Sequence, residues 1–184
     1  MTQSLHTKPL PTNNPYEQVF EAPTLAVRAA TFAEGDVLPL THVGTSHGGE
    51  ALSPELSWDA VPGAESYTVT LFDPDAPTMS GFWHWIVYNL PADCTSLAQG
   101  VGTGDLADLP QGAALGYNEA LGRQYIGAAP PAGHGPHRYF FTVQALNTRL
   151  DLPEDLTGAR IHFMLRENVI ARGHLMATFE NVGE

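Results

Sequence analysis

SYTVTLFDPDAPTMSGFWHWIVYNL, residues 66–90, reads as two strands around a rigid turn. Over Ser66–Asp73 the chain alternates: Tyr67, Val69, Leu71 and Asp73 share one face, and Thr68, Thr70 and Phe72 the other. Gly81–Leu90 is apolar on both faces, the pattern of a central strand covered on both sides. Between them, Asp73-Pro74-Asp75-Ala76-Pro77 sets two carboxylates two positions apart. Each proline fixes its own φ and pushes the residue before it towards extended backbone. A stiff turn whose Asp side chains cap backbone N–H groups accounts for the pentapeptide taken alone.

Outward from this stretch the same texture continues. His137–Leu146 (HRYFFTVQAL) is a second strongly β-biased run, and Thr24–Phe32 and Val37–Leu40 are short extended candidates. A Gly-rich loop covers Gly44–Glu50. Residues 98–136 form a long Gly- and Pro-rich excursion, of the kind that in a compact domain usually serves function. Arg160–Leu165 reads as extended or helical, and Glu167–Phe179 as room for one short helix. The polar, Pro/Asn-rich residues 1–20 read as a flexible or loosely docked tail ahead of one domain, 21–184. Strands punctuated by turns, with helix only late, predict a mostly antiparallel β domain.

Composition narrows the function. The chain has 184 residues with 20 acidic and 8 basic side chains, a net charge of −12. Nucleic-acid binding needs clustered cations for counterion release, and anionic membranes need the same, so both are disfavoured as partners. The one lysine, Lys8, sits in the tail, so the domain has none for a P-loop or a Schiff base. The one cysteine, Cys94, excludes an intrachain disulfide and most thiolate metal sites. With Asp93 beside it, it is a poor nucleophile. Residues 1–20 lack the apolar stretch of a signal peptide, and no apolar run approaches a membrane span. The expectation is a cytoplasmic protein with a reduced cysteine and no membrane insertion.

Eight histidines stand out in so acidic a chain. His6, His42, His47, His162 and His174 fit ordinary surface or core roles. His84 lies between Trp83 and Trp85, where leucine would pack better and an unpaired polar group costs about 1–3 kcal/mol. His137 opens its β run directly after the long loop and shares a face with Tyr139, Phe141 and Val143. A strand-end carboxylate, two strand histidines and a long irregular loop together point to a site.

These blocks resemble a known family. DPDAP at 73–77, WHWIVYN at 83–89, Pro130-Pro131 with Gly133, and His137-Arg138-Tyr139 are similar to the signature blocks of phosphatidylethanolamine-binding proteins, with the bacterial Raf-kinase-inhibitor-like branch the nearer likeness. Ser53–Trp58 matches a further stretch of that branch, and the likeness runs from about Thr24 to Phe179. It implies two packed antiparallel sheets with Greek-key connections and a short C-terminal helix. It also implies a small pocket for anions such as phosphate, phosphoethanolamine or carboxylates. By the same resemblance Asp73, His84, His137 and Tyr139 supply the polar groups, Pro74, Gly127 and Pro131 the backbone wall, and Asp75 supports the loop. Ala128 and Gln124 depart from the family pattern at the pocket rim.

The chemistry of such a pocket can be stated from the residues. Imidazoles offer N–H donors, and a carboxylate beside one fixes its tautomer and raises its pKa, so anion binding should strengthen at mildly acidic pH. Tyr139 O–H and N–H groups of the Pro-Pro loop would complete the coordination. With no lysine or arginine cluster, a lone headgroup should bind at about millimolar, roughly 4 kcal/mol. The reading is a small-anion or phospho-ligand module that regulates a protein such as a kinase or protease, with a homodimer compatible with the resemblance. It assigns no catalytic residue, metal or cofactor. Two alternatives stay open. One is a hydrolase or lyase, His/Asp-based or metal-dependent, with His134 or Asp75 joining the two histidines and Asp73. The other is a scaffold with a vestigial pocket.

Overall fold

The computed structural model describes residues 6–104, 108–153 and 155–183. Three short strands, β1 (Val27–Ala29), β2 (Leu56–Trp58) and β5 (Ser96–Leu97), pair antiparallel in the order β1-β2-β5. The larger antiparallel sheet holds β3 (Ser66–Asp73), β4 (Phe82–Pro91), β6 (Ala114–Leu115), β7 (His137–Leu146) and β8 (Val169–Phe179). Its order is β6-β4-β3-β7-β8. The chain thus leaves the β3–β4 hairpin, visits the small sheet at β5 and the far edge at β6, and returns to lay β7 on the other side of β3. The fold is mostly β, with two antiparallel sheets and one short helix, α1 (Gly158–Leu165), among the described residues.

The alternation of β3 is realised as read. Tyr67, Val69 and Leu71 turn into the core with Leu56, Trp58 and Leu97 of the small sheet and Trp85, Val87, Phe141 and Val143 of the large one. The opposite face of the large sheet packs Trp83, Ile86, Tyr88 and Leu146 against Ile161 and Leu165 of α1. The Thr157 hydroxyl caps that helix by accepting from Arg160 N at 3.4 Å.

Two local expectations are corrected. Glu167–Phe179 holds no helix: Val169–Phe179 is an eleven-residue strand along the length of β7. Its Ala, Leu, Met and Arg content suits a helix, but Ala171, Gly173, Leu175 and Ala177 keep a two-residue inward period, and tertiary pairing overrides propensity. A Cβ at Gly173 would lie 1.7 Å from Leu25 O, so this strand admits close approach of the N-terminal backbone. Val37–Leu40 is not a strand. Val37 makes a single bridge to Thr178, and Leu40–His42 winds as a 3-10 turn.

Within the tail, residues 6–20 run over β7 and β8. The Tyr16 ring stacks on His174 at 5.1 Å, and its hydroxyl accepts from Thr142 Oγ1 at 2.6 Å, while burial pushes its pKa up to about 12. Arg172 Nη1 donates to Phe20 O (2.9 Å), and Lys8 Nζ donates to the carbonyls of Gly133 (2.8 Å) and His134 (3.1 Å). Residues 1–5 lie outside the described residues.

Candidate functional site

The site lies where β3, β4 and β7 end on the small-sheet side. Asp73 closes β3 on the face of Leu71, and His137 opens β7 on the face of Tyr139, so the two side chains meet across neighbouring strands. His137 Nδ1 donates to Asp73 Oδ2 at 2.7 Å, with both residues buried. The other carboxylate oxygen accepts the amides of Asp75 (2.8 Å) and Ala76 (3.0 Å). Here the turn-capping role and the site role fall on one residue: Asp73 nucleates the turn with Oδ1 and orients an imidazole with Oδ2.

His84 reaches the site through a bulge. Leu71 pairs with Trp85 and Phe72 with Trp83, which leaves His84 as the extra residue on β4. Trp83 therefore packs against Phe72 on the helix side, with ring centroids 4.3 Å apart and planes tilted by 32°, while Trp85 joins the other core. His84 is aimed towards Phe82 and Tyr139 at 4.7 and 5.5 Å between ring centroids. Its Nδ1 donates to Ile126 O at 3.0 Å, since a carbonyl only accepts. In the neutral ring Nε2 is then an acceptor. Burial lowers the pKa of His84, partly offset by the Asp73 charge and the carbonyls of Ile126 and Gly127. The ring is thus held neutral below the usual histidine range.

Asp73, His84, Gly127, Pro131 and His137 all line one open cleft of about 460 Å³. Gly127 does so for a steric reason: a Cβ there would sit 2.4 Å from Gly44 N and Val43 C, in a backbone crossing that Gly44 N seals by donating to Ala128 O at 2.8 Å. Pro74 and Tyr139 are not on the cleft wall. Pro74 is half-buried within the turn. Tyr139 is fully buried beneath the two histidines, edge-on to His84 and stacked on His137 at 6.4 Å. Its hydroxyl is near enough to Asp73 for that charge to add to burial in holding the phenol protonated, yet not in hydrogen-bonding geometry with it. The Pro-Pro loop gives little: prolines have no N–H, and the amides of Gly133 and His134 donate to Asn181 O (2.9 Å) and Pro131 O (3.2 Å).

The sequence reading missed parts of the site. Part of the wall is made by Gly44, Thr45, Ser46 and Ala51, for which the only signal in the sequence is glycine density at 44–49. The sequence suggests His134 only as a metal ligand, yet its Nδ1 lies 2.8 Å from His137 Nε2. A His137 that donates to Asp73 accepts there from His134, giving a series Asp73–His137–His134. Among the described residues no group of three or more His, Cys, Asp or Glu side chains is arranged to hold a metal ion. Asp75 turns away from the cleft and grips Arg138: Oδ2 accepts Nε (2.8 Å) and the backbone N–H (2.9 Å), and Oδ1 accepts Nη2 (2.8 Å). Arg138 Nη1 also donates to Asn13 O, which ties the tail to the turn.

No helix among the described residues is long and apolar enough to cross a membrane. Comparison with known proteins agrees with the geometry. Residues 28–180 match the family model described as phosphatidylethanolamine-binding protein. The chain is 45% identical over 150 residues to YbhB of Escherichia coli, covering 79% of this chain and 94% of that one. It is 39% identical over 164 residues to YbcL of the same organism, covering 87% and 90%. The crystal structure of YbcL, described as a new member of the mammalian PEBP family, superposes with a TM-score of 0.81 over 85% of this chain and 98% of that one. From the matched residues and the shared fold, this chain belongs to the phosphatidylethanolamine-binding protein family.

Proposed function

We propose that this protein is a binding module for a small anion carrying a phosphate: inorganic phosphate, phosphoethanolamine or a phosphorylated group on a larger partner. The observation that carries the reading is that His84 and His137 face one cleft beside a carboxylate whose oxygens are already bonded by two amides and a ring. Asp73 keeps its negative charge, so the ligand's own proton or a protonated imidazole must offset its repulsion of an incoming anion. His84 has Nε2 for the ligand because Nδ1 is held by Ile126 O. That nitrogen either accepts a P–O–H of a monoprotonated phosphate or takes up a proton and donates. His137 meets the ligand at Nε2 once His134 swings away, a movement open to an exposed side chain flanked by Gly133 and Gly135. The absence of lysine and arginine from the cleft wall sets the affinity for a lone headgroup at about millimolar.

Useful affinity in this reading comes from rim contacts made by a larger phosphorylated ligand, and the module acts by regulating a protein such as a kinase or protease. A cytoplasmic location and a homodimer belong to the same proposal; cell fractionation and light scattering check them. The binding itself is tested by calorimetric titration of inorganic phosphate and phosphoethanolamine into the full chain and into His84→Ala. One saturable site that the substitution abolishes supports the reading. Heats that do not saturate by tens of millimolar, or that His84→Ala leaves unchanged, overturn it.

A further inference from the structure

On the opposite face of the large sheet lies a second cavity, of about 410 Å³, between the tail, α1 and β8. Val19, Phe20, Phe163, Leu165 and Val169 give it an apolar wall, with Val19, Phe20 and Phe163 partly exposed. The exposed Gln18 also lines it, as does Arg166, which is paired with Glu167.

Into this apolar chamber come three polar side chains with buried atoms that have no partner: Gln144 Oε1, His162 Nε2 and Arg172 Nε. Gln144 is only 3% exposed, on a strand whose other buried polar groups on that face include Thr142, which donates to Tyr16. Buried polar atoms are as a rule hydrogen-bonded, so three orphans around one cavity call for a specific account. Arg172 adds a charge. It donates Nη1 to Phe20 O but forms no ion pair among the described residues. A guanidinium is charged at every relevant pH.

We propose that this cavity is a second ligand site, for a small amphipathic carboxylate whose head meets Arg172 and Gln144 and whose apolar body lies against Phe20, Phe163 and Leu165. A planar guanidinium and a primary amide match a carboxylate, the amide presenting N–H after a half-turn. The apolar walls reject the hydrated phosphates proposed for the other cleft. His162, tilted against Trp83 with ring centroids 4.5 Å apart, completes the head site from α1 as a neutral ring. The two sites lie on opposite faces of one sheet and are independent.

The test is calorimetric titration of the full chain with octanoate, octanol and octylamine. The expected result is one saturable octanoate site, with octanol weaker and octylamine silent. Arg172→Gln should weaken octanoate about tenfold. Gln144→Met should weaken it about fivefold while leaving the melting temperature equal or higher, because it removes an unpaired buried amide without changing shape much. Phosphate binding at the Asp73 cleft should not change in either variant. Equal binding of all three probes would make the cavity a nonspecific apolar hollow and overturn the proposal. So would octanoate silence up to about 10 mM, or full octanoate affinity in a folded Gln144→Met protein, which would leave the orphans as sites for water alone.

Discussion

At the scale of single residues, Asp73 and Asp75 stand two apart in one turn and do separate work. Asp73 orients His137, and Asp75 holds Arg138 in a bidentate pair whose side chains are 10% and 5% exposed. Asp75→Ala leaves a buried guanidinium without its carboxylate, and such half-broken pairs cost about 3–5 kcal/mol. Urea denaturation should register that loss even though Asp75 touches no ligand. His134 gives the opposite kind of prediction. Because it occupies the nitrogen of His137 that a ligand needs, His134→Ala should tighten phosphate binding about threefold, the worth of a modest hydrogen bond. Weaker binding would instead make His134 a ligand contact. The two-residue period was enough to place Asp73 and His137 on inward faces of their strands. It gave no access to the contact with His134, which depends on how the Gly133–Gly135 turn folds back.

Among the elements, the bulge at His84 separates what was legible from what was not. Strict alternation puts Trp83 and Trp85 on one face, and a strand apolar on both sides gives no sign of the inserted residue. The structure sends the two tryptophans into different cores and leaves His84 aimed at the site. The helix expected over 167–179 failed for a related reason, since β8 is held by its long pairing with β7 and not by local preference. The cleft wall rests on Gly127, so Gly127→Ala should cost more than about 2 kcal/mol, because the new methyl meets backbone that cannot yield. Chemical denaturation measures the loss, and retention of wild-type stability would mean that the crossing of residues 43–44 with 127–128 is looser than described.

For the whole molecule, the acidic composition disfavoured nucleic acid and anionic membranes as partners, but it said nothing of how the histidines are buried. His42, His84, His162 and His174 all have pKa values lowered, chiefly by burial, with His162 down to about 4. A histidine whose folded pKa lies below its unfolded value stabilises the fold as the neutral ring. That contribution is complete above the unfolded pKa and is lost as pH falls from about 6.5 towards the folded value. The protein should therefore melt at lower temperature at pH 5 than at pH 7, before most carboxylates titrate. His162 alone should supply at most about 2 kcal/mol of the difference, and His162→Gln should flatten the profile. The tail contributes at the same scale. A chain beginning at residue 21 should still fold, since the core is made by the strands, but should melt several degrees lower for want of the Tyr16, Lys8 and Asn13 contacts.

Whether His84 and His137 form one anion site is read most directly from side-chain 15N NMR of the histidines during a phosphoethanolamine titration. A resting His84 protonated at Nδ1 with a bare Nε2 is expected, then saturable shifts at His84 Nε2 and His137 Nε2 with one common dissociation constant. The His137 shift should vanish in His84→Ala. Rings that keep their resting shifts at tens of millimolar, or that respond with different constants, would contradict a single shared site.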